Sequence, residues 1–141
     1  MELKMRRLFI PLINLIIIFA MSCEGSEFSV KCSDCTTTEP HEATLECRVD
    51  LSNIKMIHIW EGKLEDGVLI DSMLKYSTSV FKKNVPLNKH YTITATYIID
   101  NKTYIAVGSA LPRVRHTTNK CDQPCYYVYG NEVDLRLKYT R

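Results

Sequence analysis

Residues 90–99 read His90-Tyr91-Thr92-Ile93-Thr94-Ala95-Thr96-Tyr97-Ile98-Ile99. Every second residue from Tyr91 to Tyr97 is apolar or aromatic, and threonines occupy the positions between them. Because successive side chains of a strand point to opposite faces, this period of two predicts a strand with one buried face. It is the strongest strand pattern in the chain, and the rest of the fold is expected to pack around it.

Shorter patterns of the same kind lie on both sides. We predict strands at 43–51, at 56–60, from Val68 toward Tyr76, at 77–81, at 103–108, at 126–129 and at 132–139. Asp66-Gly67, Asp100-Asn101-Lys102 and Gly130-Asn131 are typical of hairpin turns. No sustained helical period follows residue 22. The sequence therefore predicts an all-β, antiparallel β-sandwich of about 7–8 strands, with a small barrel as the alternative.

The turn that precedes the central strand, Pro86-Leu87-Asn88-Lys89, leads directly into His90-Tyr91. A turn followed by tyrosine and then by alternation resembles the tyrosine corner of immunoglobulin-like and fibronectin type III domains. In those domains the phenol hydroxyl bonds back to the backbone a few residues upstream. The resemblance implies that Tyr91 has this role; an ordinary tyrosine at the edge of the core is the alternative.

The N-terminal segment combines the basic residues Lys4, Arg6 and Arg7 with an apolar run, Leu8–Ala20. A membrane-spanning helix needs roughly 20 apolar residues, and this run is shorter and contains Pro11 and Asn14. A basic start followed by a short apolar run is typical of a secretory signal peptide. We therefore expect a signal at 1–22, a tether at 23–29 and a β-sandwich domain at 30–141. A short membrane anchor is the alternative.

The end of the predicted signal, Ala20-Met21-Ser22-Cys23, resembles a bacterial lipobox, although that motif usually has Leu at the position of Ala20 and Gly or Ala at Ser22. The resemblance implies that Cys23 is lipidated. Acyl chains contribute about 0.8 kcal/mol per buried methylene, so several chains on one residue hold a soluble domain at a bilayer. In the alternative, a signal is cut near Gly25 and Cys23 is discarded or used in a disulfide.

Charge argues against nucleic acid as a partner. Residues 1–22 hold three basic residues and one acidic residue, so the net charge of +2 belongs to this segment and the remaining 119 residues are neutral. Clustered basic residues are the usual electrostatic signature of nucleic-acid binding. A neutral domain of this length is large enough for one hydrophobic core and too small for two.

Five cysteines follow Cys23. Cys47 lies in the middle of a predicted strand on the apolar face, where a free thiol behaves as a small hydrophobe. The other four, Cys32, Cys35, Cys121 and Cys125, are expected to form two disulfides in an oxidising compartment, with three pairings open. A tetrahedral zinc site made of the same four thiolates is the alternative. A redox role for Cys32-x-x-Cys35 would need a helix N-terminus, and none is predicted.

The remaining candidate chemistry favours surface features over catalysis. The sequence has no nucleophile elbow and no glycine-rich phosphate loop, so we predict neither an enzyme nor a cofactor. A crowded acidic turn (Glu61, Glu65 and Asp66) is expected to be solvated, with calcium binding as the alternative.

A basic cluster (Arg113, Arg115 and His116) is expected in an exposed loop, with anion binding as the alternative. Asn101-Lys102-Thr103 matches a glycosylation sequon. An aromatic set, part of it core, is a candidate face for a protein or a glycan: Trp60, Tyr76, Tyr126, Tyr127 and Tyr129.

Taken together, the chain resembles small, largely uncharacterised lipoproteins of Gram-negative gut anaerobes. The resemblance rests on Ser22-Cys23-Glu24-Gly25, Ile59-Trp60-Glu61-Gly62, 65–67, 101–107, 121–125 and 134–138. It implies a membrane-anchored β domain that faces the periplasm or the cell exterior, and it carries no known activity. We expect the lipid to anchor the domain to the outer membrane or the cell surface. We expect a binding or structural accessory module of the cell envelope. The alternatives are a freely secreted, disulfide-stabilised binding protein and a four-cysteine zinc domain.

Overall fold

The computed structural model describes residues 30–74 and 77–138. The predicted signal peptide at 1–22, the tether at 23–29 with its lipidated Cys23, and the strand residues Tyr76 and Tyr139 lie outside these ranges. Lys31–Arg141 forms one compact unit. None of the described residues belongs to a helix that is apolar and long enough to cross a bilayer.

The described chain is built almost entirely from strands. A single 3₁₀ turn, Cys32–Asp34, precedes nine strands. They are β1 (Glu42–Arg48), β2 (Ile54–Glu61), β3 (Val68–Leu74), β4 (Val80–Pro86), β5 (Tyr91–Ile99), β6 (Lys102–Ala110), β7 (Arg113–Thr117), β8 (Cys125–Tyr129) and β9 (Glu132–Asp134). The all-β prediction is confirmed, with one or two more strands than the sequence pattern indicated.

Two sheets form the sandwich. One has the order β4-β1-β9, and the other has the order β3-β2-β5-β6. All neighbours pair antiparallel except β1 and β9, which pair parallel. β7 and β8 make a separate two-stranded ribbon.

The strand order is that of an immunoglobulin-like sandwich, except that a different segment of the chain occupies one strand position. β1 and β4 take the positions of strands B and E, and β2, β5 and β6 those of C, F and G, with β3 as C′. The A position beside strand B is filled by β9, from the C-terminal end of the chain. The described residues before β1, 30–41, are therefore not part of either sandwich sheet.

The core lies between the two sheets and follows the period of two. β1 contributes Leu45 and Cys47, β5 contributes Tyr91, Ile93, Ala95 and Tyr97, and all six are fully buried. Val133 and Leu135 close the core from the C-terminal segment. The predicted inward face of β5 does pack into the core. The other face is not solvated as the alternation predicted, because Thr92 and Thr94 are also buried on this central strand.

The tyrosine corner is present. The Tyr91 hydroxyl donates a 3.0 Å hydrogen bond to the carbonyl of Pro86, at the end of the preceding strand. The ring is fully buried, and Asn88 makes the turn in the left-handed region with a φ of 62°. The bond satisfies a buried hydroxyl and fixes the angle at which the chain passes from one sheet to the other.

Two of the predicted hairpins form and one does not. β2 pairs with β3, and β5 pairs with β6 through the turn Asp100-Asn101, whose φ values of 49° and 60° are typical of a two-residue hairpin loop. The predicted hairpin across Gly130-Asn131 is wrong, because β8 pairs with β7 and β9 pairs with β1. Asn131 explains the change, since its amide donates to the Thr44 carbonyl (2.7 Å) and its carbonyl accepts from the Glu46 N–H (2.8 Å).

Candidate binding surface

The predicted disulfide cysteines meet at one end of the β7–β8 ribbon. Cys32 is bonded to Cys121 and Cys35 to Cys125, so both bonds join the start of the domain to its C-terminal part. Thr36 continues the contact through two main-chain hydrogen bonds with Tyr126, of 2.9 and 2.8 Å. Of the three pairings that the sequence allowed, the structure has this cross-linked one. Two disulfides are consistent with an exported protein that folds in an oxidising environment.

The four sulfur atoms form one compact cluster. The Sγ atoms of Cys35, Cys121 and Cys125 lie within 4.8 Å of one another, and Cys32 Sγ is bonded to Cys121 Sγ. The separation between Cys35 Sγ and Cys121 Sγ is 3.8 Å. Zinc coordinates thiolates, so these residues can bind a metal only after both disulfides are reduced. The alternative zinc ligands are therefore close together, but in disulfide form.

Cys47, predicted to be the odd cysteine, is free and fully buried on β1. Burial disfavours the thiolate and raises the pKa of the thiol to about 12. A thiol in this state is a poor nucleophile and a poor metal ligand at neutral pH. Cys47 is therefore a core residue.

The basic cluster lies on a strand and not in a loop, which corrects the sequence prediction. Arg113, Arg115 and His116 belong to β7, where they pair with Tyr129, Tyr127 and Tyr126 of β8. The alternation in Arg113-Val114-Arg115-His116-Thr117 was the available signal, but five residues with three basic ones gave no buried face to recognise. The strand forms because β8, held by Cys125, offers it a partner.

Arginine and tyrosine side chains share one face of this ribbon. Arg113 and Arg115 are exposed and lie opposite Tyr129 and Tyr127, and the Arg115 guanidinium lies 5.4 Å from the centre of the Tyr129 ring. This distance is within the range of cation–π interactions, which attract the guanidinium to the ring face. Tyr127 is buried and serves the core of the ribbon, so Tyr129 is the aromatic contact residue on this face.

The opposite face of the ribbon borders a cleft of about 400 Å³ between the 3₁₀ turn, β1 and β8. Tyr126, whose ring lies 4.7 Å from that of His116, lines the cleft together with Asp34 and Glu42. Two more acids line it, Glu46 and Glu132, and both are neutralised by ion pairs, with Lys82 at 2.5 Å and with Arg48 at 3.0 Å. The basic–aromatic residues therefore lie on one face of the ribbon, and the other face borders a cleft that is lined by Lys31 as well as by acids from neighbouring elements.

The other candidate residues are separate from this surface. Glu61 forms a 2.7 Å ion pair with Lys89, and Glu65 and Asp66 are exposed, which fits a solvated turn. Asn101 is exposed in the β5–β6 turn. Trp60 lies on the outer face of β2, 6.1 Å from the His58 ring, with a buried indole N–H that has no hydrogen-bond partner. Tyr76 and Cys23 lie outside the described residues.

No family model matches the chain, and no curated protein or solved structure is detectably similar to it. Its function is therefore inferred from the residues and geometry given above.

Proposed function

We propose that the protein is an exported lipoprotein of the bacterial cell envelope, held at the outer membrane or the cell surface through Cys23. In this role the β-sandwich is a binding or structural accessory module and not an enzyme. The observation that carries the proposal is the pair of disulfides, Cys32–Cys121 and Cys35–Cys125, because such bonds persist in oxidising compartments. The N-terminal sequence supplies the export signal and the lipobox-like cysteine.

The position of the disulfides supports an anchored module. Only the short segment 24–31 separates Cys32 from the proposed lipid site at Cys23, and the described chain begins at Val30. A pull on the anchor would be transmitted to the β7–β8 ribbon through Cys121 and Cys125, without peeling a strand from either sheet. The cross-links thus suit a domain that is tethered at its N-terminus.

We place the contact face on the basic–aromatic side of the ribbon, formed by Arg113, Arg115 and Tyr129. Arginine and tyrosine are enriched where proteins bind other proteins, because they combine apolar area with fixed donors. The chemistry suits an acidic protein surface or a glycan, whose hydroxyls accept from guanidinium and whose apolar ring face packs on tyrosine. Nucleic acid is not proposed, because the domain has no net positive charge.

The first test is an intact mass of the full chain, made in a bacterial host with its own signal, measured with and without reductant. We expect a chain that begins at Cys23 and carries acyl groups, and a gain of about 4 Da when two disulfides are reduced. A Cys23→Ser variant is the matched control and should appear without acyl groups. Wild-type protein without added acyl mass would contradict the anchor.

The contact face has its own test. We expect immobilised glycans or envelope extract to retain the anchored protein, and the Arg113→Ser/Arg115→Ser variant to lose retention. Lys138→Ser, an exposed cation outside the ribbon, is the control. Equal retention of both variants would move the contact face elsewhere.

A freely secreted, disulfide-stabilised binding protein is the second candidate, favoured by the exposed sequon at Asn101. It predicts a mature chain that starts beyond Gly25 and, in a eukaryotic host, a mass that falls on deglycosylation. A four-cysteine zinc domain is the third, favoured by the clustered sulfurs. It predicts stoichiometric zinc with four reactive thiols at the cluster in purified protein, and intact disulfides would exclude it.

A further inference from the structure

β6 is one edge of the four-stranded sheet, and among the described residues it differs from the other three sandwich edges. β4 carries Lys82, Lys83 and Pro86, β9 is only three residues long, and β3 has a bulge in its pairing with β2. Such features are the ones that natural proteins use to prevent edge-to-edge association. β6 has nine residues in unbroken register with β5, and no charged residue or proline after Lys102. It is therefore an unprotected edge.

The hairpin turn determines which main-chain groups this edge offers. Ile99 and Lys102 flank the two-residue loop, so they form a hydrogen-bonded pair, and the pairs alternate from there. Tyr104, Ala106 and Gly108 thus bond toward β5. The N–H and C=O groups of Thr103, Ile105, Val107 and Ser109 point away from the sheet.

The side chains of the same four residues lie on the outer face of the sheet. Ile105 and Val107 are 61% and 57% exposed, although both are large and apolar. A strand that pairs with β6 would cover them and would bond their outward main-chain groups at the same time. Exposed apolar side chains beside open main-chain groups are the surface that β-strand addition uses.

We propose that two copies of the chain associate by antiparallel pairing of β6 with β6, in the register that places Ile105 opposite Val107 of the other copy. This register also places Thr103 opposite Ser109, so that every outward-pointing residue meets another one. It allows about eight main-chain hydrogen bonds and joins two four-stranded sheets into one. The association does not depend on the proposed anchor or on the ribbon contact face.

Self-pairing is favoured because this strand is complementary to itself. The only charge on β6, Lys102, lies opposite Ala110, so no like charges meet across the twofold axis. Ile105 and Val107 of both copies form a single patch of four β-branched side chains, the residue type that pairs best across strands. One strand pair is a small interface, so the dimer is expected to form reversibly with rising concentration.

Sedimentation of the full chain in a Cys23→Ser background, which removes any lipid-driven association, tests the proposal. We expect a concentration-dependent dimer whose dissociation constant rises about tenfold or more in Val107→Lys. Leu74→Lys is the matched control: it introduces the same charge at a 71% exposed apolar residue of β3, and the dimer should be unchanged. A protein that stays monomeric throughout, or a dimer lost only in Leu74→Lys, would overturn the proposal.

Amide hydrogen exchange on the unsubstituted strand gives a second readout that does not depend on how Val107→Lys folds. The N–H groups of Ile105 and Val107 should exchange slowly at high concentration and quickly on dilution, whereas that of Ala106 should be protected at both. Rapid exchange at Ile105 and Val107 in a protein that is dimeric would show that β6 is not the interface.

Discussion

Tyr97 on β5 joins the two sheets of the sandwich through Leu135. Its hydroxyl donates a 2.8 Å hydrogen bond to the Leu135 carbonyl and accepts one of 3.3 Å from the Asp50 N–H. Leu135 follows β9 and Asp50 follows β1, so one buried hydroxyl ties β5 to the segments that follow two of the three strands of the opposite sheet. The C-terminal segment is thereby held at the position that strand A has in immunoglobulin-like domains.

Tyr97→Phe should keep the ring and remove this link. The Leu135 carbonyl and the Asp50 N–H would lose their partner, and we expect the free energy of unfolding to fall by about 1–3 kcal/mol. Urea unfolding at neutral pH measures it. Tyr126→Phe, on the partly buried surface of the ribbon, is the control and should cost less than about 0.5 kcal/mol. Equal losses in the two variants would mean that the hydroxyl of Tyr97 has no special role.

The two disulfides each close a loop of about 90 residues, so each restricts the unfolded chain strongly. We expect Cys32→Ser/Cys121→Ser to destabilise the domain by about 2–5 kcal/mol, and Cys35→Ser/Cys125→Ser to do the same. Paired substitutions are preferable to Cys121→Ser alone, because a single change would leave a Cys32 thiol near the other disulfide. Thermal unfolding without reductant measures the loss, and an unchanged melting curve would refute a structural role.

Alkaline pH should destabilise the protein through Cys47. Burial raises the pKa of its thiol from 9.0 to about 12, so the unfolded chain releases this proton at lower pH than the folded one. The contribution of the buried, neutral Cys47 thiol to the free energy of unfolding is complete below pH 9. It is lost progressively as the pH rises toward 12. Cys47→Ala should therefore be less stable at neutral pH but have a flatter stability profile above pH 9. Tyr91 and Tyr97, whose pKa values are also raised by burial, leave a residual slope. Parallel profiles for the two proteins would contradict this assignment.

Local patterns predicted the parts of the fold that depend on local packing. Alternation identified the inward residues of β5 and the buried position of Cys47, because a strand that packs one face on the core imposes its period on its own sequence. The turn before Tyr91 was identified by its resemblance to a tyrosine corner. It did not reveal that β9 pairs with β1. That choice depends on Asn131 and Leu135 bonding to residues more than 80 positions away, and no local signal encodes it. The candidate binding surface was predicted only in part, for the same reason. The four cysteines were recognised in the sequence, but β7 forms a strand only because β8 pairs with it.

The alternation at the C-terminus gives a test of which face is buried. Val133 and Leu135 are buried, whereas Asp134 is exposed and bonded to Arg136 at 2.8 Å. Val133→Asp and Leu135→Asp would each place an unpaired charge in the core, and we expect neither variant to fold. Asp134→Ala should remain folded with a small change in melting temperature. Circular dichroism and thermal unfolding would distinguish these outcomes, and similar behaviour of all three variants would mean that the packing of this segment is different.

Gly108 of β6 gives the sharpest test of how β9 packs. A Cβ atom at this position would overlap Val133 Cγ1 and would lie 3.1 Å from Leu135 Cδ2. Gly108→Ala should therefore cost about 1–3 kcal/mol, although alanine normally suits a strand better than glycine. Val133→Ala removes the overlapping methyl groups, so in that background the same Gly108→Ala change should be neutral or stabilising. Urea unfolding of the two single variants and the double variant gives the coupling free energy. A smaller cost of Gly108→Ala in the Val133→Ala background would confirm that Gly108 packs against Val133. Additive effects would mean that β6 and β9 are not in contact at Gly108, because substitutions at independent sites add.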